Sequence, residues 1–244
     1  MSDIVTANPN SLQDYVNDQG VMLGFENFDQ TQLKMPRYKL VQGTSKEGTP
    51  GKFRNNLTGE EFDSISGSLL GFVHKRVKWP EKYKRGDAYL CRSADGITSV
   101  DGKKCRNCED SKWNDKEKPA CGSGIEFVGI DQNGDPFFIG AQGMSISPAN
   151  SWLTWATLKR KPLLFWKVTL VSKEDSNDQG KYFVFLIQNN KDAEGAYLVN
   201  TTEQMNDAKG MYESLMAILK TSNADLDDSL EHSEADAPEA GQPF

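Results

Sequence analysis

The chain has 244 residues, 37% of them apolar and 10% aromatic, with a mean hydropathy of -0.62, so it can bury a sizeable core and is too aromatic to be disordered throughout. No run approaches the ~20 apolar residues that cross a bilayer, and the opening residues have neither a basic nor an apolar signal region; both points read as a cytosolic chain with no membrane partner. A net charge of -7 and a pI near 5.0 would exclude a nucleic-acid binder if the acids were evenly spread, but residues 223–244 hold seven acids and no Lys or Arg, which leaves 28 charges of each sign in residues 1–222.

Residues 1–34 show no periodicity beyond a short helical pattern at 11–16 and read as an N-terminal arm. Residues 37–41 form the first strand candidate, and 64–79 alternate as one long strand that Pro80 stops. After a cysteine-bearing stretch at 91–121, the runs 124–130 and 136–140 flank Asn133-Gly134 and predict a hairpin. Ser147 as N-cap and Pro148 in the first turn open a helix through Trp152, Trp155 and Leu158. Runs at 163–171 and 181–188 predict a second hairpin with a longer loop at 174–180. Met205, Ala208, Tyr212, Leu215 and Leu219 then repeat at helical spacing.

Strand, insertion, hairpin, helix, hairpin is the order of an OB-like five-stranded Greek-key barrel. The expected fold is therefore mainly β with minor α: an OB-like domain over 35–200 with a zinc-binding insertion at 91–121, a C-terminal helix at 201–222 and a disordered acidic tail at 223–244.

The four cysteines, Cys91, Cys105, Cys108 and Cys121, are spaced C-x13-C-x2-C-x12-C. Two thiolates two residues apart grip an ion from one tight turn, and two single cysteines complete a tetrahedral sulfur shell suited to structural Zn²⁺. Two disulfides are disfavoured in a cytosolic chain, and a redox pair is disfavoured by the lack of a thioredoxin-like βαβ pattern.

Basic and aromatic residues interleave at two places. Phe72, Trp79 and Tyr83 stand among Lys75, Arg76, Lys78, Lys82, Lys84 and Arg85, with Arg92 following; Trp152, Trp155, Phe165 and Trp166 stand among Lys159, Arg160 and Lys161. Lys103, Lys104 and Arg106 add charge to the cysteine loop. Single-strand binders need this mixture, since cations track phosphates while rings stack on any base. In the tail, Asp225, Asp227 and Asp228 precede a terminal Pro243-Phe244, a combination suited to docking in a basic pocket of a partner protein.

Enzyme signatures are poor: His74 and His232 are the only histidines, and no phosphate-binding glycine loop occurs. The expectation is a non-enzymatic binder. A zinc-containing nuclease or other DNA-processing enzyme, and a zinc-stabilised adaptor without DNA affinity, remain the alternatives.

The segments Met35-Pro-Arg-Tyr-Lys-Leu-Val-Gln42, Gly51-Lys-Phe-Arg-Asn-Asn-Leu-Thr-Gly59 and Cys91-Arg-Ser-Ala-Asp-Gly96, with Cys105, Cys108, Trp113 and Cys121 after them, resemble a group of bacteriophage single-stranded DNA-binding proteins. The ending resembles the acidic, Phe-terminated tails of bacterial and phage single-strand-binding proteins. The resemblance implies a sequence-tolerant protein that coats single-stranded DNA in the host cytoplasm during phage replication or recombination, and that recruits replication or recombination proteins through its tail.

Overall fold

A computed structural model describes residues 34–82, 88–114, 118–177 and 180–221. Nine strands form one mixed, curled sheet: β1 (Arg37–Leu40), β2 (Phe53–Asn55), β3 (Glu61–Phe62), β4 (Ser64–Lys78), β5 (Cys91–Ser93), β6 (Cys121–Asp131), β7 (Pro136–Gln142), β8 (Val168–Asn177) and β9 (Gly180–Asn189). Among the described residues two α-helices accompany it, α1 (Ile146–Leu158) and α2 (Thr202–Thr221). The order across the sheet is β3-β2-β1-β7-β6-β4-β8-β9, with β5 paired to β4.

The mainly-β expectation agrees with this sheet, but the five-stranded OB barrel does not. That barrel closes by a ladder between its third and last strands. Here β1 occupies the free side of β7 in parallel register, Arg37 opposite Phe138 and Tyr38 opposite Ile139, and β9 is left as an edge. A side chain covers part of that edge: Gln42 Oε1 accepts the Phe183 N–H at 2.9 Å, and Gln42 Nε2 donates to the Phe183 carbonyl at 3.0 Å. One amide thus stands in for a ladder partner, which blunts an edge that would otherwise pair with foreign strands.

β4 organises the molecule. It pairs with β8 through Ser64–Gly67, with β6 from Gly67 to Lys78, and with β5 at its end, and a register shift between Leu69 and Gly71 changes which residues face each side. One face carries the larger core, in which Leu69, Ile125, Phe127, Ile139 and Phe185 pack against Ala149, Trp152, Leu153 and Ala156 of α1. Those four positions recur at three and four residues, the spacing that lays one apolar stripe along a helix. The other face carries Leu70, Val73, Val128 and Phe138, covered by Ala208, Leu215 and Met216 of α2.

Local boundaries differ from the sequence reading for identifiable reasons. The N-cap of α1 is Ser145, not Ser147, so Pro148 is the third helical residue. Residues 163–165 form a 3-10 turn before β8 instead of a strand. The ladder of β8 and β9 runs out to Asn177 and Gly180, because past the half-buried Phe183 and Tyr182 this arm leaves the core and its remaining residues are exposed.

Candidate nucleic-acid interface

The last two turns of α1 and the connection after β9 build an aromatic cluster. Trp155 and Trp166 have ring centroids 4.7 Å apart, Tyr197 lies 5.2 Å from Trp155 and 5.8 Å from Trp166, and Phe165 meets Trp166 edge-on at 4.9 Å. Two isolated bridges, Trp166 with Val199 and Lys191 with Tyr197, hold the connection against this ring group. Three lysines stand over three of the rings: Lys159 over Trp155 at 5.8 Å, Lys161 over Phe165 at 5.3 Å and Lys191 over Tyr197 at 5.1 Å. Arg160 ends the helix with φ of 52°, the left-handed turn that reverses the chain between Lys159 and Lys161. The Trp166 indole N–H is buried with no hydrogen-bond partner among the described residues, which leaves a donor inside the cluster.

At the end of β4, Cys91 of β5 and Cys121 of β6 both stand opposite Lys78, so the two thiols flank that lysine on one face of the sheet. Cys105 and Cys108 lie on the 3-10 turn Cys105–Asn107 and its cap, where the Cys108 N–H donates to the Cys105 carbonyl at 3.2 Å. The Ser111 hydroxyl lies 2.7 Å from both cysteine carbonyls, and Lys78 Nζ reaches Asp110 at 2.7 Å, tying the turn to the sheet. All four cysteines are free thiols. Burial pushes the Cys121 thiol up, the Arg76 guanidinium opposes that shift, and Cys91, Cys105 and Cys108 add to it more weakly. Among the described residues no group of three or more His, Cys, Asp or Glu is set to hold a metal ion.

The basic residues expected along β4 divide. Lys75 is buried and ion-paired with Glu126, whose other carboxylate oxygen pairs with the equally buried Arg37. It belongs to the interior, and removing Glu126 would take away the carboxylate that both cations face. Phe72 is half-buried, 6.1 Å from Phe127, and packs against the larger core. Arg76 lines a cavity between β4, β6 and the start of α1. Trp79 is half-buried, Lys82, Lys103, Lys104 and Arg106 are exposed, and the Arg92 guanidinium lies 4.7 Å over the Tyr89 ring. Trp113, on the cysteine loop, is 70% exposed. Tyr83, Lys84 and Arg85 lie outside the described residues, as do Asp225, Asp227, Asp228, Pro243 and Phe244.

Sequence reading missed Tyr197 and Lys191. The only local signal was a tyrosine and a lysine in a connection that also carries Leu198 and Val199, and their placement depends on a fold that returns 189–201 to the end of α1.

A family model describing the Pam3 phage gp34-like protein matches residues 5–218. The chain belongs to that family. Membership of the gp34-like family points to a phage protein, and the matched span includes the aromatic cluster and all four cysteines while stopping short of the acidic tail. No curated protein and no solved structure matches the chain. None of the helices among the described residues is long and apolar enough to cross a membrane.

Proposed function

We propose that this gp34-like phage protein binds single-stranded DNA with little regard to sequence, as a non-enzymatic coat in phage replication or recombination. The reading rests above all on the exposed Tyr197 and the half-buried Trp155 and Phe165, seated on the buried Trp166 of the larger core, with Lys159, Lys161 and Lys191 over the rings. Ring faces and cations in one place match the two chemical halves of an unpaired strand: stacking on bases contributes about 1–3 kcal/mol each, and phosphates draw the ammonium groups. The exposed Lys82, Lys103, Lys104 and Arg106, with Trp113 on the cysteine loop, extend the same chemistry.

On this reading Cys91, Cys105, Cys108 and Cys121 take structural Zn²⁺, which would hold the loop of Lys103, Lys104 and Arg106 rigid. Support comes from the sulfur-only donor set and the two-residue spacing of Cys105 and Cys108; binding would have to draw the thiols together, since no three of them among the described residues are set to hold an ion. The acidic tail, with its terminal phenylalanine, serves to recruit replication or recombination proteins.

Titration of fluorescent oligo-dT and of a duplex of equal length, at two salt concentrations, tests the reading. Single strand should bind preferentially, with a logarithmic salt slope of about -0.7 per contacted phosphate. Trp155→Ala or Tyr197→Ala should weaken binding roughly tenfold. Equal affinity for duplex and single strand, or indifference to both substitutions, would overturn it.

A further inference from the structure

At the other end of α1 lies a cavity of about 220 Å³ whose walls carry His74, Lys75 and Arg76 of β4, Ser123 of β6 and Asn150 of α1. No aspartate or glutamate lines it, and Lys75 turns its charge to the buried Glu126, which leaves Arg76 as the cation on the wall. One wall is the turn at Gly96, which adopts φ of +71° and sits so close to β4 that an added Cβ would fall 2.7 Å from the His74 Cβ. Only glycine permits both that conformation and that approach. The opposite wall is the first turns of α1, a helix of 13 residues whose start has no acidic side chain. Its N-cap side chain makes no capping bond, because the Ser145 hydroxyl instead accepts the Phe185 N–H at 3.2 Å.

Two features set this cavity apart from the aromatic cluster. It offers charge and hydrogen-bond donors without a ring platform, since the one aromatic group on its wall is His74, whose ring already meets Phe72 edge-on at 5.5 Å. It is also bounded by the Gly96 turn on one side and α1 on the other, with room in its volume of about 220 Å³ for a phosphate group. A guanidinium, an imidazole, a hydroxyl and a carboxamide are the donors that suit the oxygens of a doubly charged phosphate.

We infer that this cavity seats a phosphomonoester, the terminal phosphate of a bound single strand. The inference rests on the proposed DNA binding and deepens it: the protein then distinguishes a phosphorylated strand end from a hydroxyl end while the aromatic cluster engages internal bases. A 13-residue helix is about 20 Å long, so the two sites lie within reach of one short oligonucleotide.

The test compares oligo-dT carrying a 5′-phosphate, a 3′-phosphate or hydroxyls at both ends, with dTMP and inorganic phosphate titrated separately by thermal shift. One phosphorylated end should raise affinity about tenfold over the hydroxyl form. Arg76→Gln and Asn150→Ala should each bring that ratio towards one; Asn150 is exposed, and melting temperatures check that both variants fold. Equal affinity for the three oligonucleotides overturns the cavity's role and leaves single-strand binding intact. A gain at both ends that survives Arg76→Gln also overturns it, since general charge attraction would explain that result. If no oligonucleotide binds, the proposed function falls. The cavity is then decided by dTMP and inorganic phosphate: stabilisation lost in Arg76→Gln upholds a phosphate site, and no stabilisation overturns it.

Discussion

Arg160 is the only non-glycine residue with positive φ among the described residues. The left-handed conformation costs an L-residue about 1–2 kcal/mol relative to the right-handed one, and glycine would avoid that cost at a helix end. An arginine kept there, between two lysines that cover aromatic rings, fits a residue retained for its charge. Arg160→Gly should raise the melting temperature, or at worst leave it unchanged, while lowering single-strand affinity and making the salt slope shallower. A variant that gains stability and binds oligo-dT with unchanged affinity and slope would show that the charge at this position does not reach phosphate. At this same scale the sequence was only partly legible. The stretch Lys159, Arg160 and Lys161 stood out by its composition, whereas burial of Lys75 could not be read from its neighbours. The partner that makes its burial tolerable, Glu126, lies on another strand.

Strands announced themselves where they alternate within a core and stayed hidden where pairing is distant. The run at 64–79 became β4 (Ser64–Lys78) with almost unchanged limits. The parallel pairing of β1 with β7 had no local signature, and that pairing is what displaced the expected barrel. The loop between β5 and the cysteine turn shows how a short irregular element can still be held. Asp95 accepts the N–H groups of Ile97 and Thr98, both at 2.8 Å, and the Ser93 hydroxyl at 2.9 Å. The backbone bonds from Thr98 and Ile97 hold its carboxyl below the usual carboxylate range. A carboxylate with a depressed folded-state pKa contributes stability above its unfolded value, about 3.9, and loses it as pH falls through the lower folded value. Exchange protection of the Ile97 and Thr98 amides should therefore hold from neutral pH down to about 4 and fall below it. Asp95→Ala should remove that protection at neutral pH, at a cost of about 1 kcal/mol in local stability; protection that survives the substitution would mean the turn is held elsewhere.

The cysteine turn belongs to the same scale. If it takes zinc, metal analysis should find one ion per chain, and Cys108→Ser should lower both metal content and melting temperature. Four accessible thiols and no metal in protein purified without chelator would count against the site.

Across the whole molecule, the balance of charge is set by a segment that the sheet does not contain. Residues 223–244 carry seven acids and no Lys or Arg, and the rest of the chain carries equal numbers of each sign. A tethered polyanion competes with DNA for any basic surface within its reach, and the competition weakens as salt screens it over about 10 Å at 0.1 M. Removing residues 223–244 should tighten oligo-dT binding most at low salt and least at high salt, so the truncated protein should show the steeper salt dependence. Removing Phe244 alone leaves all seven acids in place and should not change affinity. It should instead abolish capture of a partner that uses the ring as an anchor, since one buried aromatic group commonly dominates such a contact. A truncated chain with the same affinity and slope as the full chain would eliminate the competition. Recovery of the same partners from infected cells with and without Phe244 would eliminate the anchor, and because the two deletions alter different properties of the segment, neither result depends on the other.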